Sequence, residues 1–266
     1  MTPDFPPPRE PCAVYELSAA ELDAVSNEEV AVEVGGRKIW VARTEVTQAA
    51  WSEIMNRNPE TTFDGCGPDL PIASVSWFDA MRYANRLSHR QGLRPAYRLN
   101  ERRRRWQLDP RADGYRLPTV EEWTQAVMGG HSLSEADLCI SGNILDETAA
   151  RTRLEIAGTL VRGRSGEYEL LYATCDDGYA QLAPVGAFIS PSGLVYDGIG
   201  NVEEWVELND GSGAVATMGG SYSMTGELDT ILKPSKMSPT MVVGGLRLVR
   251  NSNKTEGGNA GPEYDD

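Results

Sequence analysis

Residues 183–206 carry the sequence APVGAFISPSGLVYDGIGNVEEWV, and this stretch decides the class of fold that the chain encodes. Gly, Pro, Ser, Asp and Asn divide its apolar residues into short segments. Short apolar segments bounded in this way favour loops and short antiparallel strands. The same pattern begins at about residue 130, so we predict loops and short strands, rather than helices, in the C-terminal half.

The N-terminal half instead contains three helix signals. Thr47 is a suitable N-cap for the first helix. Ser76 with Asp79, and Thr119 with Glu122, have the spacing of a capping box at the start of the second and third helices. The residues predicted to face inward are Ala50, Trp51 and Ile54; Trp77, Met81, Ala84 and Leu87; and Trp123, Ala126 and Val127.

The composition indicates one packed domain with many turns. The 266 residues are 40% apolar and 24% charged, with 27 Gly and 16 Pro. We predict an α+β domain, rich in loops and low in regular secondary structure, at residues 36–251. Residues 1–35 are predicted to be an extension with a short helix near 18–25 and a strand near 30–34. The polar residues 252–266 are predicted to be a disordered tail.

The net charge excludes one broad class of partner. At −14, the chain repels phosphate backbones, which argues against general nucleic-acid binding. The arginine run at residues 102–105 is the contrary feature. It indicates either a solvated loop or hairpin, or a docking patch for an acidic partner.

The cysteines and the hydropathy pattern bear on the compartment. Cys12, Cys66, Cys139 and Cys175 are scattered without CxxC or metal-ligand spacing, which favours reduced structural thiols. No apolar run approaches the roughly 18 residues of a membrane helix, and the first residues lack the pattern of a secretory signal. We therefore predict a cytoplasmic protein that does not enter the membrane.

Five stretches in the same order resemble the formylglycine-generating-enzyme, or sulfatase-modifying-factor, family. They are VARTEVTQAAW (41–51), LPIASVSWFDAMRYANRLS (70–88), GYRLPTVEEW (114–123), the stretch at 183–206, and MGGSYS (218–223) with GGLRLVRN (244–251). The family fold is a variant of the C-type lectin fold, so the resemblance implies that fold here. It does not by itself imply the activity.

The positions that matter for the family's chemistry are changed. In the enzyme, two cysteines after the GGS(W/Y) motif bind copper(I), a soft metal that requires thiolates. Alignment of the motif places Met224 and Asp229 at these positions, and Glu203 replaces a tryptophan of the substrate groove. We therefore predict that the chain is not an enzyme, binds no copper and has no catalytic residues.

A rebuilt groove is then expected to bind a protein or peptide. Its predicted residues are Glu203, Ser221, Tyr222, Met224, Asp229, Lys233, Lys236 and Met237. The segment 224–243 also carries Ile231, Leu232, Met241 and Val242, which suit either a contact surface or a covered core loop.

The family also implies calcium, one or two ions that brace the loops. The first predicted ligand set is Asn143, Ile144, Asp177 and Tyr179, and the second is Asp197, Gly200, Val202 and Glu204. All of them offer oxygen atoms, which a hard cation prefers, and Asp176 is an alternative ligand to Asp177. Because Asp, Asn and Gly also form ordinary turns, plain turn chemistry is the alternative to calcium at each site.

Three functions are consistent with this sequence. The leading hypothesis is a calcium-braced binding module that regulates a protein partner, for example by sequestering it. The alternatives are an enzyme with different, copper-independent chemistry in the same groove, and a ligand-binding lectin-like protein with diversified loops. The sequence identifies neither the partner nor the oligomeric state.

Overall fold

The structure is a computed structural model that describes residues 28–57, 65–157, 172–208, 214–224 and 228–252. The helix predicted near residues 18–25 and residues 253–266 of the predicted tail lie outside these ranges. In chain order, the strands are β1 (Glu29–Val34), β2 (Arg37–Ala42), β3 (Val75–Ser76), β4 (Tyr97–Asn100), β5 (Arg105–Leu108), β6 (Tyr115–Arg116), β7 (Glu204–Glu207), β8 (Val215–Met218), β9 (Ser235–Met237), β10 (Val242–Gly244) and β11 (Val249–Asn251). The helices are α1 (Gln48–Met55), α2 (Trp77–Arg90), α3 (Val120–Met128), α4 (Leu138–Ser141), α5 (Glu147–Ala157) and α6 (Leu228–Ile231).

The strands form small antiparallel sheets. The largest has the order β1-β2-β11-β6, and a second sheet has the order β7-β8-β9. Two further pairs, β10-β3 and β4-β5, complete the described pairing. This mixture of helices with small sheets and long loops confirms the predicted α+β class. The predicted strand near residues 30–34 is β1, the outer strand of the largest sheet, so regular structure begins before residue 36.

The three predicted helices are confirmed, together with their caps. Thr47 accepts a hydrogen bond from the Ala50 amide at 3.1 Å at the start of α1. Ser76 caps α2 in the same way. At α3 the Thr119 and Glu122 side chains each accept from the other's backbone amide. The residues predicted to face inward are all buried.

Helix α5 contradicts the prediction that no helix follows residue 130. Its sequence, ETAARTRLEIA, consists largely of good helix formers. Its first turn is anchored because Asp146 Oδ1 accepts from the Ala149 amide at 2.8 Å, and Ala149 and Ala150 are buried. The surrounding turn residues obscured this local propensity.

The core is divided into two main apolar clusters. One surrounds Trp51, Trp77 and Trp205, where the helices α1 and α2 pack together. The other lies between α3 and the sheets and includes Trp123 and Ile231. Four of the chain's six tryptophans are thus almost completely buried, which fixes the loops around them.

The prediction of reduced thiols is wrong. Cys139 and Cys175 form a disulfide across a sequence separation of 36 residues, with their Cα atoms 6.2 Å apart. Cys66 is also disulfide-bonded. Sequence spacing did not reveal this pairing, because distant cysteines meet only once the fold has formed.

In the parts of the chain that the structure describes, no helix is both long and apolar enough to span a bilayer.

Candidate functional site

The first predicted calcium set lies where two loops meet. Asn143 and Ile144 follow α4, and Asp177 and Tyr179 lie in the described loop segment 172–203. The Ile144 amide donates to Asp177 Oδ2 at 2.8 Å, and the Tyr179 amide donates to Oδ1 at 2.9 Å. The structure therefore brings these predicted residues together.

The atoms of this first set suit a hard cation. Asn143 is completely buried, yet its side-chain oxygen Oδ1 has no hydrogen-bond partner. Burial raises the pKa of Asp177 to about 6; the amides that donate to it oppose this shift, and Asp146 and Asp176 add to it. An unused buried acceptor near the Asp177 carboxylate is an arrangement that calcium would complement.

Such an ion would bind mainly through amide and carbonyl oxygens. Within the described ranges, no group of three or more His, Cys, Asp or Glu side chains is arranged as a metal cluster. The residues that would hold the ion are therefore Asn143 and Asp177 through their side chains, with backbone oxygen atoms of Ile144 and Tyr179. A bound ion would neutralise Asp177 and hold the two loops together.

In the second predicted set, Glu204 already has a cationic partner. Arg247 Nη2 lies 2.6 Å from Glu204 Oε1, and both side chains are 1% exposed. Arg247 Nε lies 3.1 Å from each carboxylate oxygen, and Trp123 Nε1 donates to Oε2 at 2.8 Å. A calcium ion bound to Glu204 would lie against this guanidinium group. The residues around Glu204 therefore do not fit calcium.

The other members of the second set are held by the backbone. Asp197 accepts hydrogen bonds from the Gly186 and Phe188 amides. Burial raises its pKa, although those two amides and Arg247 oppose the shift. Gly200 has a φ of +74°, and a Cβ there would lie 1.8 Å from the Asn143 carbonyl oxygen. Only glycine allows this close approach between the two predicted sets.

Arg247 and Glu45 are site residues that the sequence-based prediction did not include. Glu45 is 2% exposed and accepts from Asn201 Nδ2 at 2.9 Å. Burial raises its pKa well above the ordinary value, with further contributions from Asp197 and Glu204. Both residues lie in the recognised motifs. A charged residue inside an otherwise buried motif is the signal that could have identified them.

Part of the predicted groove lies on the loop after β8. The Tyr222 amide donates to the Asn201 carbonyl at 3.1 Å, and the Met224 carbonyl accepts from the Leu145 amide at 3.0 Å. Ser221, Tyr222 and Met224 are half-buried. This loop is therefore attached to the loops that carry the two predicted calcium sets.

The remaining groove residues lie on other elements. Glu203 precedes β7, and burial raises its pKa. Lys236 and Met237 are on β9, which pairs with β8. Asp229 is on α6, with a side chain 87% exposed, and forms an ion pair with Lys233 at 2.8 Å. The structure distributes these residues over several elements, so a shared groove stays a prediction.

The segment 224–243 divides between the two alternatives that the sequence left open. Ile231 is completely buried in the second core cluster, and Leu232 packs partly against it. Met241 and Val242 are 42% and 59% exposed. Ile231 and Leu232 thus belong to the core, whereas Met241 and Val242 present apolar side chains to solvent.

The comparison with protein families agrees with this architecture. Residues 15–252 match the sulfatase-modifying factor enzyme 1-like domain. The chain belongs to this family. The match covers most of the chain and includes the motifs that carry the loops described above.

The chain is also similar to a curated protein and to several solved structures. The chaperone protein LppX from Paenibacillus barcinonensis is 28% identical over 179 residues, which are 62% of this chain and 60% of that relative's length. The crystal structure of CarF is 22% identical, with a TM-score of 0.58 over 85% of this chain and 98% of CarF. The Treponema denticola variable protein 1 is also 22% identical, with a TM-score of 0.55 over 80% of this chain and 84% of that protein. At these identities, the two structures show the shared fold alone.

Proposed function

We propose that this member of the family is a non-catalytic protein-binding module whose loops are braced by one calcium ion at Asn143 and Asp177. In this proposal it acts by holding or sequestering a protein partner. The alternatives of copper-independent chemistry and of a diversified lectin-like binder have no comparable support from a particular observation.

The proposal that the protein is non-catalytic rests on the residues that stand at the positions of the enzyme's two copper-binding cysteines. Motif alignment places Met224 and Asp229 there, and the last cysteine of the chain is Cys175. Asp229 points into solvent, where it pairs with Lys233. Within the described residues every cysteine is in a disulfide. A copper(I) centre needs free thiolates, which these side chains do not supply.

The protein-binding part is supported by the exposed apolar residues. Met241 and Val242 stand on the surface beside a hollow of about 200 Å³ that Pro239, Val242 and Arg104 help to line. Methionine adapts its shape to irregular partners. The relative LppX is named a chaperone, and a chaperone acts by binding other proteins. The match covers only part of that relative, so its activity enters here as part of the proposal.

The disulfides support an oxidising compartment. Structural disulfides form and persist in such compartments and are rare in the cytosol. The pair Cys139 and Cys175 closes a long loop beside the proposed calcium site. We therefore propose an oxidising compartment in place of the cytoplasmic location that the scattered cysteines had indicated.

Three measurements test this function. Incubation with copper(I), oxygen and a Cys-containing sulfatase peptide is expected to leave the peptide mass unchanged; formation of the aldehyde would overturn the non-catalytic assignment. Affinity capture from the native host is expected to recover a stoichiometric protein partner. The double variant K233E/K236E is expected to weaken that complex with little change in melting temperature, because both lysines are exposed. Recovery of no partner would refute the binding function.

A further inference from the structure

A hairpin of β4 and β5 separates an apolar face from a basic face. Leu99 pairs with Trp106, and both pack partly against the first core cluster. The neighbouring pairs, Arg98 with Gln107 and Asn100 with Arg105, are exposed. The alternation of a β-strand therefore places the apolar side chains on the core and the arginines in solvent.

Aromatic contacts fix this hairpin in place. The Trp106 ring centroid lies 6.0 Å from that of Trp77 and 5.6 Å from that of Phe78, at the start of α2. Trp77 is completely buried. Because the hairpin is anchored to the core, the arginines along it are presented from a rigid support, which lowers the entropic cost of binding.

The hairpin borders an open groove of about 660 Å³. Arg98, Arg103, Arg104 and Arg105 line it, and Glu207 is the acidic residue among its lining side chains. Leu99, Trp106 and Leu108 contribute the apolar part of the lining. We call this the arginine groove.

The arginines of the groove differ from arginines elsewhere in the protein. Arg57, Arg90, Arg116, Arg247 and Arg250 each form an ion pair with a carboxylate. Among the residues that the structure describes, none of the four groove arginines does so. In a chain with 39 acidic and 25 basic residues, such a cluster is not expected from composition. The groove therefore holds four guanidinium groups that form no ion pair with a described carboxylate.

We infer that the arginine groove binds an acidic segment of a partner protein, with carboxylates on the guanidinium groups and an apolar side chain against Trp106. This inference rests on the proposed protein-binding function and assigns it a surface and a partner chemistry. Guanidinium groups bind carboxylates through paired hydrogen bonds, which suits arginine better than lysine for this role.

The net negative charge of the chain as a whole favours a short acidic segment over a nucleic acid as the ligand of the groove. At physiological salt, charges act over about 8 Å, so a short segment experiences mainly the groove. A long polyanion would also meet the rest of a chain whose net charge is −14.

The groove is continuous with the apolar surface that the proposed function uses. Arg104 lines both the arginine groove and the hollow formed with Pro239 and Val242. A partner segment with acidic residues at one end and apolar residues at the other would cover both surfaces. This continuity makes one extended binding face from two neighbouring features.

The test uses the full chain and a short fluorescein-labelled peptide of alternating Glu and Leu, followed by fluorescence anisotropy. The variant R103Q/R105Q is expected to weaken binding by about tenfold or more. The matched variant R37Q/K38Q removes the same number of exposed charges from β2 and is expected to change the affinity by less than about threefold. Binding is also expected to weaken as ionic strength rises, and melting temperatures should stay nearly unchanged.

Several results would overturn the inference. They are equal binding of a peptide with Gln in place of Glu, an equal effect of both double variants, and tighter binding of a single-stranded DNA of similar length. If the acidic peptide fails to bind while K233E/K236E still weakens the captured complex, only the arginine groove is refuted. If capture yields no stoichiometric partner, the protein-binding function itself is refuted.

Discussion

Replacing Glu204 with glutamine tests whether the buried ion pair, rather than a second calcium ion, holds the motif at residues 200–206. The substitution keeps the size of the side chain and an oxygen that can accept from Trp123 Nε1. It removes the negative charge that lies 2.6 Å from Arg247 Nη2, where both side chains are 1% exposed. An unpaired charge in such a buried position costs about 3–5 kcal/mol of folding stability.

The expected loss of folding stability in Arg247→Met depends on the other hydrogen bonds of the guanidinium group. Arg247 also donates to the carbonyl oxygens of Ala42 and Tyr196, at 3.1 and 2.6 Å. The variant therefore leaves Glu204 without its counter-charge and two carbonyls without a donor. Each unsatisfied carbonyl adds about 1–3 kcal/mol to the cost. Arg247→Met is accordingly expected to be more destabilising than Glu204→Gln.

The two substitutions are expected to be strongly non-additive. In the wild-type background, Glu204→Gln leaves the buried Arg247 without a counter-charge and therefore destabilises the fold. In the Arg247→Met background, the same substitution removes an uncompensated carboxylate, so it is expected to be neutral or stabilising. The sign of the effect should therefore reverse between the two backgrounds.

Urea denaturation at neutral pH, with calcium or with a chelator, provides the measurement. The ion-pair explanation predicts the same cost of Glu204→Gln in both solutions. A cost that appears only with calcium would show that Glu204 binds the ion. Additive effects of the two substitutions would refute the buried pair.

Three further predictions concern the calcium set, a second buried pair and the disulfide. Calcium at a hundredfold excess over Kd is expected to add about 2.7 kcal/mol to the free energy of unfolding, and Asp177→Asn is expected to abolish this gain. Equal melting curves with calcium and with a chelator would exclude the ion. Burial acts to raise the pKa of Glu122, but hydrogen bonds and attraction from Arg116 lower this pKa overall. The contribution of Glu122 to folding stability is therefore complete above the ordinary pKa of 4.5 and is lost as pH falls through the pKa in the folded protein. Glu122→Gln should therefore cost about 3–5 kcal/mol at pH 7, and a cost that does not shrink on acidification would contradict the pairing. Cys139→Ser with Cys175→Ser should lower the free energy of unfolding by about 4 kcal/mol, as expected for a loop of 36 residues, and unchanged urea midpoints would contradict this.

Local sequence signals predicted the parts of this fold that depend on near neighbours. Thr47, Ser76 and Thr119 define the starts of α1, α2 and α3, because a cap acts within one helical turn. The tryptophans of these helices were correctly placed inward by their spacing. The ordered motifs then implied the family and its mixed fold, which the comparisons bear out.

The parts that depend on distant residues were not predictable in the same way. Glu204 meets Arg247 across 43 residues, and Cys139 meets Cys175 across 36. Neither pair has a spacing that a sequence pattern reveals. The sequence left Ile231 open between a contact surface and a covered core loop, and the packing of α6 places it in the core. Side-chain partners across the fold are decided by packing, which a single sequence does not contain.

The disulfide between Cys139 and Cys175 has a consequence for how the chain tolerates change. It holds the Cα atoms of two residues that are 36 positions apart in the sequence 6.2 Å from each other. Asn143 lies four residues after the first cysteine, and Asp177 lies two residues after the second. Because the bond is covalent, the two ends of the enclosed chain stay joined when the sequence between them changes. The framework that carries Asn143 and Asp177 therefore remains closed.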